Sequence, residues 1–262
     1  IRARNIRPIP GEIIEQRIVR RATKWYCQLV IDDGKQPPPP RPIRKCVGID
    51  MGLTTFATFS DGTKIANPRF GKVLAKQLAR AQRAVSRKVK GSKNRRKAIT
   101  RLQRVHVRIA NARHNFTHQL SRRVVNTYDL IAVEDLDIKS MVRGRFAKSI
   151  LDACWAQFLF QCGYKAASAG ATYKRSEARG TSQDCSGCGE CVPKDLYERV
   201  HRCPKCGLVL CRDINAARNV LARALQTSQH PALVGRSVMP VEEFVGTPAK
   251  QEATTCGTTT SQ

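Results

Sequence analysis

Two kinds of residue in this sequence have the type and spacing to do chemistry. Cys185-x-x-Cys188 is followed, after fourteen intervening residues, by Cys203-x-x-Cys206. Each pair sits in a turn that can aim two thiolates at one ion. Four thiolates close a tetrahedral shell with metal–sulfur distances near ~2.3 Å, the pattern of a single structural zinc ion. Gly187, Gly189 and Gly207 supply the backbone freedom such tight turns need. Cys191 and His201 are spare candidate ligands, although a histidine two residues before a cysteine more often packs or meets a phosphate. The second kind is carboxylate. Asp50 and Glu134 each close an apolar run, Cys46-Val47-Gly48-Ile49 and Leu130-Ile131-Ala132-Val133, and Asp213 stands at the start of a helical pattern.

An acid at the end of a buried strand is unfavourable unless something pairs with it. Three such acids converging would make an oxygen-rich pocket suited to Mg²⁺ or Mn²⁺. Two of these ions ~3.5–4 Å apart can activate a water and stabilise the leaving oxygen in phosphodiester cleavage. Taken singly, each acid could equally cap a helix or pair with an arginine, and Asp213 could be a first-turn acid favoured by the helix dipole. The order strand–acid, strand–acid, helix–acid is what sets the three apart.

The elements that must position these residues read as α/β. Residues 10–31 form a hairpin, ending in the β-rich run Trp25 to Ile31. The stretch 32–42, with Pro37 to Pro40 consecutive, cannot pair in a sheet and serves as a linker. A strand into Asp50, a second over Thr54–Ser60 and a third around Lys64–Ala66, reached through the Asp61-Gly62 turn, make a meander. Between 71 and 125 the apolar residues switch to 4-3-4 spacing in two segments separated by Gly91-Ser92, which describes a helical hairpin. A strand into Glu134, one helix over Ser149–Ala169, a strand over Ala171–Arg175, the cysteine pairs and a helix over Asp213–Leu225 follow. From Gln226 the sequence turns Thr/Ser/Gly-rich and reads as a disordered tail, 226–262.

Charge points to the partner. The net charge is +27 over 262 residues, and a chain this basic binds polyanions, nucleic acid foremost. Residues 71–125 hold seventeen Lys and Arg and no acid, a run that repels itself unless phosphates lie against it. The candidate contacts are Arg87, Lys88, Lys90, Lys93, Arg95, Arg96, Lys97, Arg101 and Arg104. No apolar stretch reaches the roughly 18 residues that span a bilayer, so no membrane partner is expected. Four of the eleven cysteines sit in metal-type pairs, which fits a reducing compartment; the expected location is cytoplasmic and, with nucleic acid as partner, nucleoid-associated. The first residues, Ile1-Arg2-Ala3-Arg4, read as a cut into a longer chain.

Four segments together resemble the TnpB proteins of bacterial insertion sequences: Gly48-Ile49-Asp50-Met51-Gly52, Ala132-Val133-Glu134-Asp135-Leu136, Thr181-Ser182-Gln183-Asp184-Cys185-Ser186-Gly187-Cys188-Gly189 and Arg212-Asp213-Ile214-Asn215-Ala216-Ala217. The resemblance covers most of residues 45–225. It implies an RNA-guided DNA endonuclease, related to type V CRISPR effectors, with an RNase H-like (RuvC-like) fold. On the matching positions it places the catalytic acids at Asp50, Glu134 and Asp213 and the zinc ribbon at Cys185, Cys188, Cys203 and Cys206. Cys211 stands where the family commonly has Asp.

The expected architecture is therefore an α/β RuvC-like nuclease domain over 45–181, with the basic hairpin 71–125 inserted. A zinc ribbon over 182–212 and a last nuclease helix over 213–225 complete it. Residues 1–44 are expected to be the last strands of a wedge, or oligonucleotide-binding, barrel plus the Pro-rich linker. The expected partners are DNA and a guide RNA encoded near the transposon end. The expected cofactors are one structural Zn²⁺ and two catalytic Mg²⁺ or Mn²⁺. Two other readings stay open on the sequence: a catalytically silent nucleic-acid-binding derivative, and a transposase that joins DNA strands.

Overall fold

The computed structural model describes residues 8–195 and 197–227. The expected disordered tail falls, past Thr227, outside the described residues. Along the chain run β1 (Glu12–Arg21), β2 (Lys24–Asp32), β3 (Cys46–Met51), β4 (Thr55–Phe59), β5 (Lys64–Ala66), α1 (Phe70–Val73), α2 (Ala75–Ser86) and α3 (Lys93–Thr127). There follow β6 (Leu130–Glu134), α4 (Ile138–Met141), α5 (Ala147–Ala153), α6 (Trp155–Ser168), β7 (Thr172–Ser176), β8 (Val200–Arg202), β9 (Val209–Cys211) and α7 (Arg212–Gln226). No helix among the described residues is long and apolar enough to cross a membrane. The described residues form two compact units, one over 8–39 and 69–118, the other over 40–68 and 119–227.

The first unit holds the antiparallel hairpin β1–β2, with Ile18 opposite Cys27, and the helices α1, α2 and the first part of α3. Ile14, Ile18 and Trp25 of the hairpin are 67%, 71% and 65% exposed, so its strands have little apolar cover of their own. The turn between α2 and α3 uses Gly91 in the left-handed region, and the Ser92 hydroxyl accepts the Arg95 N–H at 3.1 Å to start α3. On α3, Ala98, Val105 and Ile109 are buried at helical spacing, as the 4-3-4 pattern requires.

The second unit is built on a five-stranded sheet in the order β5-β4-β3-β6-β7. β5, β4 and β3 are antiparallel neighbours, whereas β3–β6 and β6–β7 are parallel. The central strands carry unbroken apolar runs, Val47 to Ile49 and Leu130 to Val133, because both faces are covered. Phe56 of β4 meets Phe158 of α6 edge-on, centroids 5.3 Å apart. On the face where Leu130 and Ala132 pack with Val220, Leu221 and Ala224, helix α7 lies unusually close. A Cβ placed on Gly48 would fall 2.0 Å from the Ala217 carbonyl oxygen and 2.9 Å from Leu221 Cβ. Only a residue without a side chain lets that helix backbone touch that strand.

The Pro-rich linker ends in a strap. Arg41 donates from its backbone to Gly170 O (2.7 Å) and from its guanidinium to Ala169 O (2.7 Å) and Val125 O (3.2 Å). These are carbonyls at the C-terminal ends of α6 and α3, where a cation is favoured by the helix dipole.

One expectation is corrected. The single helix read over Ser149–Ala169 is two, α5 and α6, broken at Cys154, whose backbone is left-handed at φ 56°. The apolar residues on either side continue without a Gly or Pro, so no local signal marks the break. The new axis buries Trp155, Phe158, Leu159 and Cys162 together. The close seat of α7 makes a test: Gly48→Ala should destabilise the chain by about 1–3 kcal/mol through overpacking. A denaturant melt with an unchanged midpoint would show that the helix can move away.

Candidate functional site

Strand alternation decides which side chains meet. Gly48 faces α7, so Asp50, two residues on, shares that face; so do Leu130, Ala132 and Glu134 along β6. β3 and β6 are parallel and in register, Ile49 beside Val133, which leaves Asp50 and Glu134 next to one another at the same end of the sheet. Asp213 lies in the first turn of α7, one turn before Ala217, the residue seated on Gly48. All three acids are therefore aimed at one end of the sheet by its register and one helix phase.

Their electrostatics agree with that placement. Burial, then the carboxylates of Glu134 and Asp213, push the Asp50 carboxyl well above its ordinary range. Burial also raises Glu134, opposed by the Thr181 hydroxyl, which donates to Glu134 Oε1 at 2.7 Å, and by Arg223. Asp213 is beside its neighbour Arg212, Nε to Oδ1 3.7 Å. The acids are near enough to disturb one another, but their oxygens are not gathered as the thiols are. Among the described residues, the one group of three or more His, Cys, Asp or Glu whose donor atoms all lie within 4.8 Å of one another is the cysteine quartet. Buried Glu134 and half-buried Asp50 beside a third carboxylate, in a chain of net charge +27, form a donor set that fits a hard divalent cation.

The quartet is built from a repeated knuckle. Gly189 N donates to Cys185 O (2.8 Å) and Gly207 N to Cys203 O (3.0 Å); Cys185 N reaches Glu190 O and Cys203 N reaches Leu208 O. Gly189 (φ 77°) and Gly207 (φ 74°) are left-handed, as the turn demands. Sulfurs of Cys185 and Cys206 are 3.6 Å apart, and those of Cys188 and Cys203 3.5 Å. A disulfide would need about 2 Å; a tetrahedron of thiolates around an ion such as zinc has edges of roughly 3.8 Å. The Cys203 thiol is drawn down to about 6, chiefly by the Cys206 backbone N–H, while Cys188 and Cys206 beside it are raised. His201 is fully buried with no partner on either ring nitrogen, so it packs and does not ligate; Cys191 is exposed.

The basic residues fall into two sets. Arg87, Lys88, Lys90, Lys93, Arg96 and Lys97 are exposed around the turn between α2 and α3. Arg95 is engaged, donating to Lys88 O (3.2 Å) and Val85 O (3.5 Å) at the end of α2. The other set lines an open groove of about 560 Å³ between α2 and α3, floored by Ala81, Ala84 and Ala98 and walled by Arg80, Arg101, Arg104 and Arg108. Arg80 and Arg108 are absent from the sequence-based choice; the i, i+3, i+7 relation of Arg101, Arg104 and Arg108 along α3 is the available signal. The first turn of α3 holds cations and no acid, against the helix dipole, so an anion there would relieve it.

Comparison with known proteins bears on the family. Residues 28–145 match a family described as a probable transposase, and residues 155–220 match a Cas12f1-like TNB domain. A Streptomyces pristinaespiralis protein named "Putative RNA-guided DNA endonuclease" is 39% identical over 211 residues, 79% of this chain and 52% of its own length. "Putative RNA-guided DNA endonuclease InsQ" of Escherichia coli K12 is 32% identical over 273 residues, 97% of this chain and 65% of its own. These matches bear out the resemblance to the TnpB family. This chain spans about half to two-thirds of the length of these relatives. The solved CRISPR-Cas12f ternary complex shares the mixed α/β fold, with a TM-score of 0.51 at 22% identity over 75% of this chain and 42% of that one.

The thiol geometry yields a test. Protein purified without chelator should carry one equivalent of thiolate-bound metal by elemental analysis. Cys188→Ser should lose it and unfold at a lower temperature than Cys154→Ser, whose sulfur lies outside the quartet. A metal content near zero would remove the site.

Proposed function

We propose that this chain is the catalytic portion of a transposon-associated, RNA-guided DNA endonuclease with a RuvC-like, RNase H-type fold. The observation that supports it most is the aim of Asp50, Glu134 and Asp213 at one end of the sheet, with half-buried Asp50 and buried Glu134 held above their ordinary carboxylate range. In this reading the three carboxylates hold two Mg²⁺ or Mn²⁺ ions, which supply Lewis acidity and an activated water when bound. Asp50 and Glu134 fix the position from the sheet and Asp213 from the helix. The four cysteines hold Zn²⁺ and keep the ribbon folded. DNA and a guide RNA are the partners, the guide being engaged once the remainder of a full-length family member is present. The groove arginines and the exposed lysines and arginines of the turn track phosphates, an interaction that positions a strand without reading its bases.

The acids are tested in a complete, guide-bound protein. Asp50→Ala should reduce Mg²⁺-dependent DNA cleavage by at least about 10³-fold while DNA binding persists; cleavage at the wild-type rate would take Asp50 out of the active site. Binding is tested on the chain itself. Changing Arg101, Arg104 and Arg108 to Gln should lower the log–log salt slope of duplex binding by about 0.9 for each phosphate left unneutralised. The same change at Arg17, Arg20 and Arg21 of β1 should lower it less. Equal changes would mean diffuse attraction to a polycation, with no privileged groove.

A further inference from the structure

Of the three acids, Glu134 has a hydroxyl for a partner, and that hydroxyl comes from outside any helix or strand. Thr181 lies in the segment between β7 and the first cysteine knuckle, and both it and Glu134 are buried. Its single proton has two acceptors in reach, Glu134 Oε1 at 2.7 Å and Ala178 O at 3.0 Å. An ionised carboxylate is the stronger acceptor and takes it.

What holds Thr181 there is a polar stripe on α7. The Thr181 carbonyl accepts from Asn219 Nδ2 at 2.8 Å and Asn215 Nδ2 at 3.5 Å. The Asp184 carbonyl accepts from the same two amides, at 2.7 Å each. Asn215 Oδ1 takes the Ser186 N–H at 2.9 Å, so both ends of that amide are fixed by their partners. One turn further, the Arg223 guanidinium donates to Glu177 O, Arg179 O and the Asp184 carboxylate. Asn215, Asn219 and Arg223 stand at i, i+4 and i+8, a single stripe of the helix that carries Asp213 in its first turn.

We propose that Thr181 is a positioning residue for Glu134, clasped in place by Asn215 and Asn219 of α7. Its hydroxyl fixes Oε1 and the plane of the carboxylate, and leaves Oε2 to the divalent ion that Asp50 and Asp213 would share. The proposal rests on the assignment of the three acids as the metal site. Partners of this kind are generally worth ten- to a hundredfold in metal affinity, because a ligand with a fixed orientation has less freedom to lose.

The test is a Mn²⁺ titration of this chain, reading free Mn²⁺ by electron paramagnetic resonance, with thiolate-bound metal content as the check on folding. Thr181→Val keeps the shape and removes the hydroxyl; it should weaken Mn²⁺ binding by roughly tenfold. Thr181→Ser restores the hydroxyl and should bind within roughly twofold of wild type. In a Glu134→Gln background the valine should add nothing, since the group it positions is gone. Should the valine variant not keep its thiolate-bound metal, Thr181→Ala takes its place in each comparison. Wild-type affinity in the hydroxyl-less variant would overturn the proposal. So would a serine variant as weak as the valine, or a valine penalty that persists undiminished without the Glu134 carboxylate. Asp50→Ala separates the two levels: if it binds Mn²⁺ as wild type does, the acid site itself is wrong and the proposal falls with it.

Discussion

The touch of the α7 backbone on the β3 backbone at Gly48 sets the arrangement of everything chemical in the second unit. A helix turns about 100° per residue, so a slip of one residue past Gly48 would rotate every side chain of α7 off its target. Because Ala217 is locked over a strand position that tolerates no Cβ, the phase of the helix is fixed. Ala216, Ala217, Val220, Leu221 and Ala224 then face the sheet, and Asp213 lies at its end. Asn215, Asn219 and Arg223 form the adjacent stripe and reach the segment leading into the cysteines. Small residues dominate the buried stripe because the separation leaves room for little else. One close approach thus aligns an acid, an apolar interface and a clasp.

The fold leaves two electrostatic demands unmet, of opposite sign. At the end of the sheet, half-buried Asp50 is desolvated beside two other carboxylates, an arrangement that disfavours its own charge. On α3, cations crowd the positive end of a 35-residue helix whose first turn holds no acid. Neither is what folding alone would select, and local conflict of this kind collects at functional sites. Under the proposed function each demand would be met separately, by phosphates at the cations of α3 and by divalent ions at the carboxylates. The overall charge of +27 favours polyanions in general, but it does little locally for acids set back from solvent.

What is legible in the sequence and what is hidden follow from the range of the interactions. The cysteine knuckles are legible because each is self-contained: Cys-x-x-Cys-Gly encodes its own turn, down to the left-handed glycines 189 and 207. The strand ends at Asp50 and Glu134 are legible because burial on both faces writes an unbroken apolar run. Thr181 reads as part of a family motif, with no role, because its partner lies 47 residues away in sequence. Arg41 reads as linker, since the two helix ends it caps are brought together only by tertiary packing. The break at Cys154 leaves no mark because a cysteine in the left-handed region has no sequence signature. Arg95 looks like any other cation of its run until the carbonyls at the end of α2 claim it.

The ribbon shows why such long-range ties matter. Its two strands are three residues each, and its buried side chains include Cys185, Cys203 and His201, too few for a hydrophobic core. His201 serves as filler: burial holds its pKa below the ordinary value, and a neutral ring without partners behaves as an apolar plug. Lys194 commits its ammonium inside the segment, on the carbonyls of Ser182, Gln183 and Val192. A piece this small is tied down by the amides of α7 and would gain further rigidity from an ion held by its sulfurs. The same amides grip the Thr181 carbonyl, so whatever loosens the clasp loosens the ribbon and the Glu134 hydroxyl bond together. The cysteine quartet and the Glu134 carboxylate, far apart in chemistry, are in this way held to one helix.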